Sequence, residues 1–105
     1  MESGWLLADG EAVASAQSAR SVREWRAALR AARRGEAAAV LRSPAFLLGP
    51  LDVVRVRDDT AAEVRCVGRR PVCVVRPGTI VVVGRGDAHR CGLRRGTRVE
   101  LRWSS

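Results

Sequence analysis

From residue 51 onward the chain zigzags between apolar and polar residues in short runs separated by turn residues. This period of two constrains the fold more than any other feature. Leu51 to Arg57 reads as a strand with Asp52, Val54 and Val56 on one face. Asp58-Asp59-Thr60 turns it, and Ala61 to Val67 returns. Gly68-Arg69-Arg70-Pro71 reads as the next turn, before Val72 to Arg76. That turn predicts Val67 opposite Val72 and Cys66 opposite Cys73, within the span of a disulfide. Pro77-Gly78 leads into Thr79-Ile80-Val81-Val82-Val83, an unbroken run that predicts a strand covered on both faces. The closing alternation turns Thr97, Val99, Leu101 and Trp103 inward and Arg98, Glu100 and Arg102 outward.

The first half supplies one helix. Trp5 to Ala8 and Glu11 to Ala14 flank Asp9-Gly10, which predicts a hairpin with a two-residue turn. Ser21 and Glu24 form a capping box. Val22, Trp25, Leu29 and Ala32 then share a stripe, beside a second stripe of Arg23, Arg26, Arg30 and Arg33. Gly35 ends that helix. Ala37 to Leu41 is a short apolar run, and Pro44 and Pro50 bracket a loop holding Phe46 and Leu47. Asp87 to Cys91 predicts one helical turn with Asp87 as N-cap and Gly92 at its end. With six to eight strands and no alternating strand–helix units, the pattern predicts an α+β fold. It would be mainly an antiparallel β-sheet, a small barrel or a sandwich, with one packed amphipathic helix. The 105 residues fit a single domain spanning 1–105 around one apolar interior.

All 19 basic residues are arginine, and Ala, Val and Gly abound. A GC-rich genome writes proteins this way, so the net charge of +8 says less about partners than its size suggests. Its distribution says more: basic residues crowd 20–42 and 65–105, with acidic stretches before and between them. Such blocks either build one basic face or are solvated arginines on separate faces. No apolar run approaches the roughly 18 residues of a membrane span. Met1-Glu2-Ser3-Gly4-Trp5 lacks the basic start of a signal peptide, so a cytoplasmic location is expected. Three cysteines, an odd number, fit reduced, packed thiols there.

Each chemical motif has a plainer reading. Cys66, Cys73, Cys91 and His89 supply soft ligands, but without the paired spacing of a structural zinc site. No metal and no cofactor is expected. His89 is the single histidine, two residues from Cys91, and no Gly-x-Ser-x-Gly elbow accompanies it. Ser15, Ser18 and Ser21 lie far off in the chain. Gly84-Arg85-Gly86 lacks the rest of a phosphate-cradling loop and reads as a turn. Asp52 shares a face with valines, so it is either a buried anchor accepting backbone amides or a site acid. The reading expects a non-catalytic domain. Its candidate binding residues are Asp52, Arg23, Arg26, Arg30 and Arg33, and Pro50, Gly86, Gly92, Gly96 and Trp25 are structural.

The order of these pieces resembles the domain of unknown function 192 family. The resemblance runs from Trp5 to Leu101. It rests on Trp5-Leu6-Leu7-Ala8-Asp9-Gly10 with Ala19-Arg20-Ser21, on Pro50-Leu51-Asp52-Val53-Val54, and on Gly86 through Val99. It departs at Ala28-Leu29-Arg30, where the family carries Gly-Leu-Leu or Gly-Leu-Met, at Ser43 to Gly49, where it carries a polar–aromatic–Met stretch, and at Thr97, where it carries Asp. The resemblance implies a small β-rich domain without a settled activity, with a partner in a pilus or secretion assembly conceivable. The chain's expected role is a binding or accessory domain of unknown ligand. The alternative is a sequence-nonspecific nucleic-acid module using the helix arginines and those near the C-terminus.

Overall fold

The computed structural model describes residues 2–41, 45–70, 72–74 and 79–104, with 45–46 and 72–74 described by backbone alone. Strands β1 (Glu2–Ala8) and β2 (Glu11–Ser18) form the expected hairpin. Asp9 and Gly10 both take positive φ at its tip, which matches the twist of the flanking strands. Helix α1 (Val22–Arg33) starts at Ser21, whose hydroxyl accepts from the Glu24 amide at 3.2 Å. It ends with Gly35 and Glu36 donating to the Ala32 and Ala31 carbonyls, the paired bonds of a left-handed glycine stop. Next come β3 (Ala38–Leu41), β4 (Ala45–Leu47), β5 (Leu51–Arg57), β6 (Thr60–Val67), β7 (Val72–Val74) and β8 (Thr79–Gly84). The one-turn helix α2 (Asp87–Arg90) and β9 (Val99–Trp103) complete the order.

The fold is α+β and rich in strand: a curled seven-stranded sheet with order β6-β5-β8-β3-β2-β1-β9, beside a two-stranded β4-β7 sheet. It is mixed rather than purely antiparallel. Strands β2 and β3 pair in parallel, Ala16 to Ala38 through Ser18 to Val40, with α1 as their crossover. So one strand–helix–strand unit does occur. A second difference concerns residues 67–72. Strand β6 pairs with β5, whereas β7 pairs with β4, putting Cys73 opposite Phe46 and Cys66 opposite Asp52. The predicted Cys66–Cys73 pairing is thus absent, and residues 45–47, expected in a loop, are a strand. Pro44 and Pro77-Gly78 fall outside the described residues.

The curl nearly brings the sheet ends together. Thr60 bridges Arg98, the Ala61 amide donates to the Thr97 carbonyl, and the Val99 amide to the Asp59 carbonyl, both at 2.8 Å. Farther along, β6 and β9 stay at opposite ends of the strand order. Each contributes to a charge ladder: Glu63 of β6 lies between Arg65 and Arg55 of β5, and Glu100 of β9 between Arg102 and Arg98, just before the strand.

Two apolar layers flank the sheet, not the single interior expected. Ala38, Val40, Val54, Val81 and Val83 join Leu6, Ala88, Leu93 and Val99 in one layer. Their neighbours Ala39, Leu41, Val53, Ile80 and Val82 join Leu51 and the α1 residues Ala28, Leu29 and Ala32 in the other. The alternation of a pleated strand sends adjacent residues to opposite faces. This is why Ile80 to Val83 is apolar throughout. Val22, expected on the core stripe, is 64% exposed, and Trp25 is only partly buried at the edge of the α1 layer. The buried indole Nε1 of Trp25 has no hydrogen-bond partner among the described residues, and an unmade buried bond is destabilising. Trp25→Phe should therefore change stability by less than about 1 kcal/mol, measured as a urea midpoint.

Candidate functional site

Asp52 is the second residue of β5 and lies between Cys66 on β6 and Val83 on β8. It is 7% exposed. Its Oδ2 accepts from the Gly86 amide at 2.9 Å and the Ala88 amide at 3.2 Å. Those amides belong to the N-cap and second residue of α2, so a side chain from another element does the capping. The N-cap itself is Gly86, in a left-handed conformation, and Asp87 is the first helical residue. Asp52 is thus the anchor that its buried position suggested, though it ties down α2 rather than the loop before β5.

Across from it, the exposed Cys66 thiol donates to Asp52, and this bond, burial and the carboxylate charge push its pKa up, opposed by Arg85. Burial likewise raises the Cys91 thiol, opposed by Arg90. Both thiols keep their protons to higher pH when folded, so stability should fall as pH climbs from the ordinary thiol range through the raised values. Urea midpoints across alkaline pH check this; a Cys66→Ser, Cys91→Ala variant should show a shallower decline. In Asp52→Asn, Cys66 should react faster with an alkylating reagent.

Anchoring α2 fixes a cleft of about 360 Å³ between β2, the α1–β3 connection and α2. Ser15, Glu36, Asp87, Arg90 and Cys91 line it with Ala14 and Val83. Asp87 is 9% exposed and ion-paired with Arg90. The Cys91 sulfur lies 3.8 Å from the Val13 carbonyl oxygen. His89, on the same turn, is exposed.

The arginine stripe divides. Arg23, Arg26 and Arg30 line a surface groove of about 550 Å³ with Val22 and Ala27. None of the three has an ion-pair partner among the described residues. Arg33 is occupied, donating from Nη2 to the Leu48 carbonyl at 2.7 Å. The arginines near the C-terminus do not join this groove. Helix α1 packs on one face of the sheet, whereas Ala88 and Leu93, which flank Arg90 and precede Arg94, pack on the other. Arg90 and Arg94 of the second basic block thus belong to a segment packed on the face away from α1.

The structural residues sit at junctions. Gly92 follows α2 and Gly96 the turn before β9, both at positive φ, and a cis peptide joins Gly49 to Pro50. Sequence reasoning missed three contributors. The Asp87–Arg90 pair sits at i, i+3 spacing, which was readable. Thr97 Oγ1 accepts from the Arg94 amide and donates to the Gly92 carbonyl, for which the sequence carries no mark. Gly49 likewise has no room for a side chain against the Val67 and Gly68 carbonyls. Among the described residues, no helix is long and apolar enough to cross a membrane.

No family model and no curated protein matches the chain. Two crystal structures share its fold. A protein of unknown function from Novosphingobium aromaticivorans DSM 12444 is 20% identical, with a TM-score of 0.61 over 94% of this chain and 83% of that one. A Sinorhizobium meliloti 1021 protein, provisionally described as a transcription regulator, is 17% identical, with a TM-score of 0.66 over 95% and 92% of the two chains.

Proposed function

We propose that this chain is a non-catalytic binding or accessory domain whose contact face is the outer side of α1. One observation carries the reading: Arg23, Arg26 and Arg30 stand together on a groove with exposed Val22 and, among the described residues, have no ion-pair partner within 4.0 Å. Unpaired guanidiniums at i, i+3 and i+7 suit a partner that carries closely spaced anionic groups. The best-placed carboxylate, Asp52, is meanwhile engaged in holding α2, which supports a structural rather than a chemical role for it. Kinship with the domain of unknown function 192 family, a cytosolic setting and a protein partner in a pilus or secretion assembly belong to the same reading. The test is recovery of a partner from the native host. The wild-type chain should enrich a defined protein that Arg23→Ala/Arg26→Ala/Arg30→Ala loses; equal recovery by both overturns the α1 face.

A second reading takes nucleic acid as the partner. It is favoured by the description of the Sinorhizobium meliloti neighbour, and by three unpaired guanidiniums on one helix face. Contacts would be to phosphates and independent of sequence. With three free guanidiniums on the α1 face, log affinity against log salt should fall with a slope of about −3 on duplex DNA. Fluorescence anisotropy on a mixed-sequence duplex decides it. A slope much steeper than this would require the C-terminal arginines as well, and no binding at low salt removes the reading.

A further inference from the structure

We propose that the cleft between the β1–β2 turn and the loop leading into β9 binds a small dipolar solute. The ligand class is one with a free ammonium and a free carboxylate, an amino acid or a short unblocked peptide. This site is separate from the α1 groove and does not depend on the function proposed above. The cleft measures about 660 Å³, within the range of small-molecule sites. Asp9 and Glu11 come to it from the hairpin, and Arg94 and Arg95 from the loop after α2. Two carboxylates and two guanidiniums thus share a locally balanced site in a chain of net charge +8.

The opposite charges do not cancel one another. No ion pair within 4.0 Å joins Asp9 or Glu11 to Arg94 or Arg95, although all four residues line one cleft. Hydrogen bonds fix the backbone of both walls. On the acidic side, the Asp9 amide donates to the Arg98 carbonyl at 2.8 Å, and Asp9 Oδ1 accepts from the Arg98 amide at 3.0 Å. On the basic side, the Arg94 amide donates to Thr97 Oγ1 at 3.0 Å, the Thr97 amide to the Arg94 carbonyl at 2.9 Å, and Thr97 Oγ1 to the Gly92 carbonyl at 3.1 Å. The backbone of both walls is fixed before any ligand arrives, so the ordering that binding requires is confined to the exposed Glu11, Arg94 and Arg95 side chains. A solute with a positive and a negative end lays its ammonium toward Asp9 and Glu11 and its carboxylate toward Arg94 and Arg95. Arg–carboxylate geometry favours the latter pairing.

Amide resonances of the intact chain, followed by NMR during titration, test the site. Glycylglycine should shift Asp9 to Glu11 and Gly92 to Thr97 saturably, and N-acetylglycinamide, lacking both charges, should not. Glycine in a parallel titration distinguishes a free amino acid from a peptide by which of the two binds tighter. Arg94→Ala/Arg95→Ala and, separately, Glu11→Gln should each weaken binding about tenfold. All three side chains are exposed, and a dispersed spectrum verifies that each variant is folded. Absence of saturable shifts, equal shifts with the blocked compound, or undiminished binding by folded variants overturns the proposal.

Discussion

Gly49→Ala should cost about 3 kcal/mol, the upper end for a group forced into filled space, out of a total stability of about 5–15 kcal/mol. The Gly49 amide donates to the Gly68 carbonyl at 3.0 Å. A β-carbon on Gly49 would run into the Val67 carbonyl oxygen and the Gly68 oxygen 2.6 Å away. Both obstacles are backbone, and neither can rotate aside. Relief requires separating the segment before Pro50 from the end of β6, which breaks the bond between them. Gly68→Ala is the matched control: nothing lies within 4 Å of its added carbon, and its effect should stay within about 0.5 kcal/mol. Paired thermal or urea unfolding of the two variants checks the contrast. Similar midpoints would mean the two segments are not packed as described.

The second large effect is expected at Asp52. In Asp52→Ala the Gly86 and Ala88 amides lose their shared acceptor. Bonds to a charged group contribute about 1.5–3 kcal/mol each, so the loss should reach about 3 kcal/mol or more. The damage should concentrate on α2, with faster amide hydrogen exchange at 86–91 before the rest of the sheet responds. Asp52→Asn separates charge from geometry. Both bonds end on Oδ2, so one amide oxygen can accept both, and about half the stabilisation should return. An Asn variant as unstable as the Ala variant would show that the charge, rather than the acceptor, holds the turn.

What the sequence disclosed follows from the range of the forces involved. The Asp9-Gly10 hairpin, the Ser21 cap, the Gly35 stop, the run from Thr79 to Val83 and the inward face of Val99 are short-range patterns. Turn chemistry, capping and burial state them within a few residues. The two apolar layers were implicit in that continuous run. What stayed hidden was decided by pairing between distant segments. Residues 45–47 become a strand because β7 lies beside them, and Cys66 faces Asp52 because β6 takes β5 as its partner. The parallel β2–β3 pair needs all of α1 as its connection. At the site, periodicity placed Arg23, Arg26 and Arg30 on one helix face. It could not show that Arg33 would be drawn to the Leu48 carbonyl, or that the segment carrying Arg90 and Arg94 would pack on the face away from α1.

The ladders on β6 and β9 bear on how the chain behaves in a crowded solution. A terminal strand with unused amides and carbonyls is a template for other chains. Stacking identical copies in register along β9 would set Glu100 on Glu100, Arg98 on Arg98 and Arg102 on Arg102. Each layer added to such a fibril would accumulate like-charge repulsion. Salt screens that repulsion, so concentrated brine, rather than heat alone, is where this arginine-rich domain should begin to self-template.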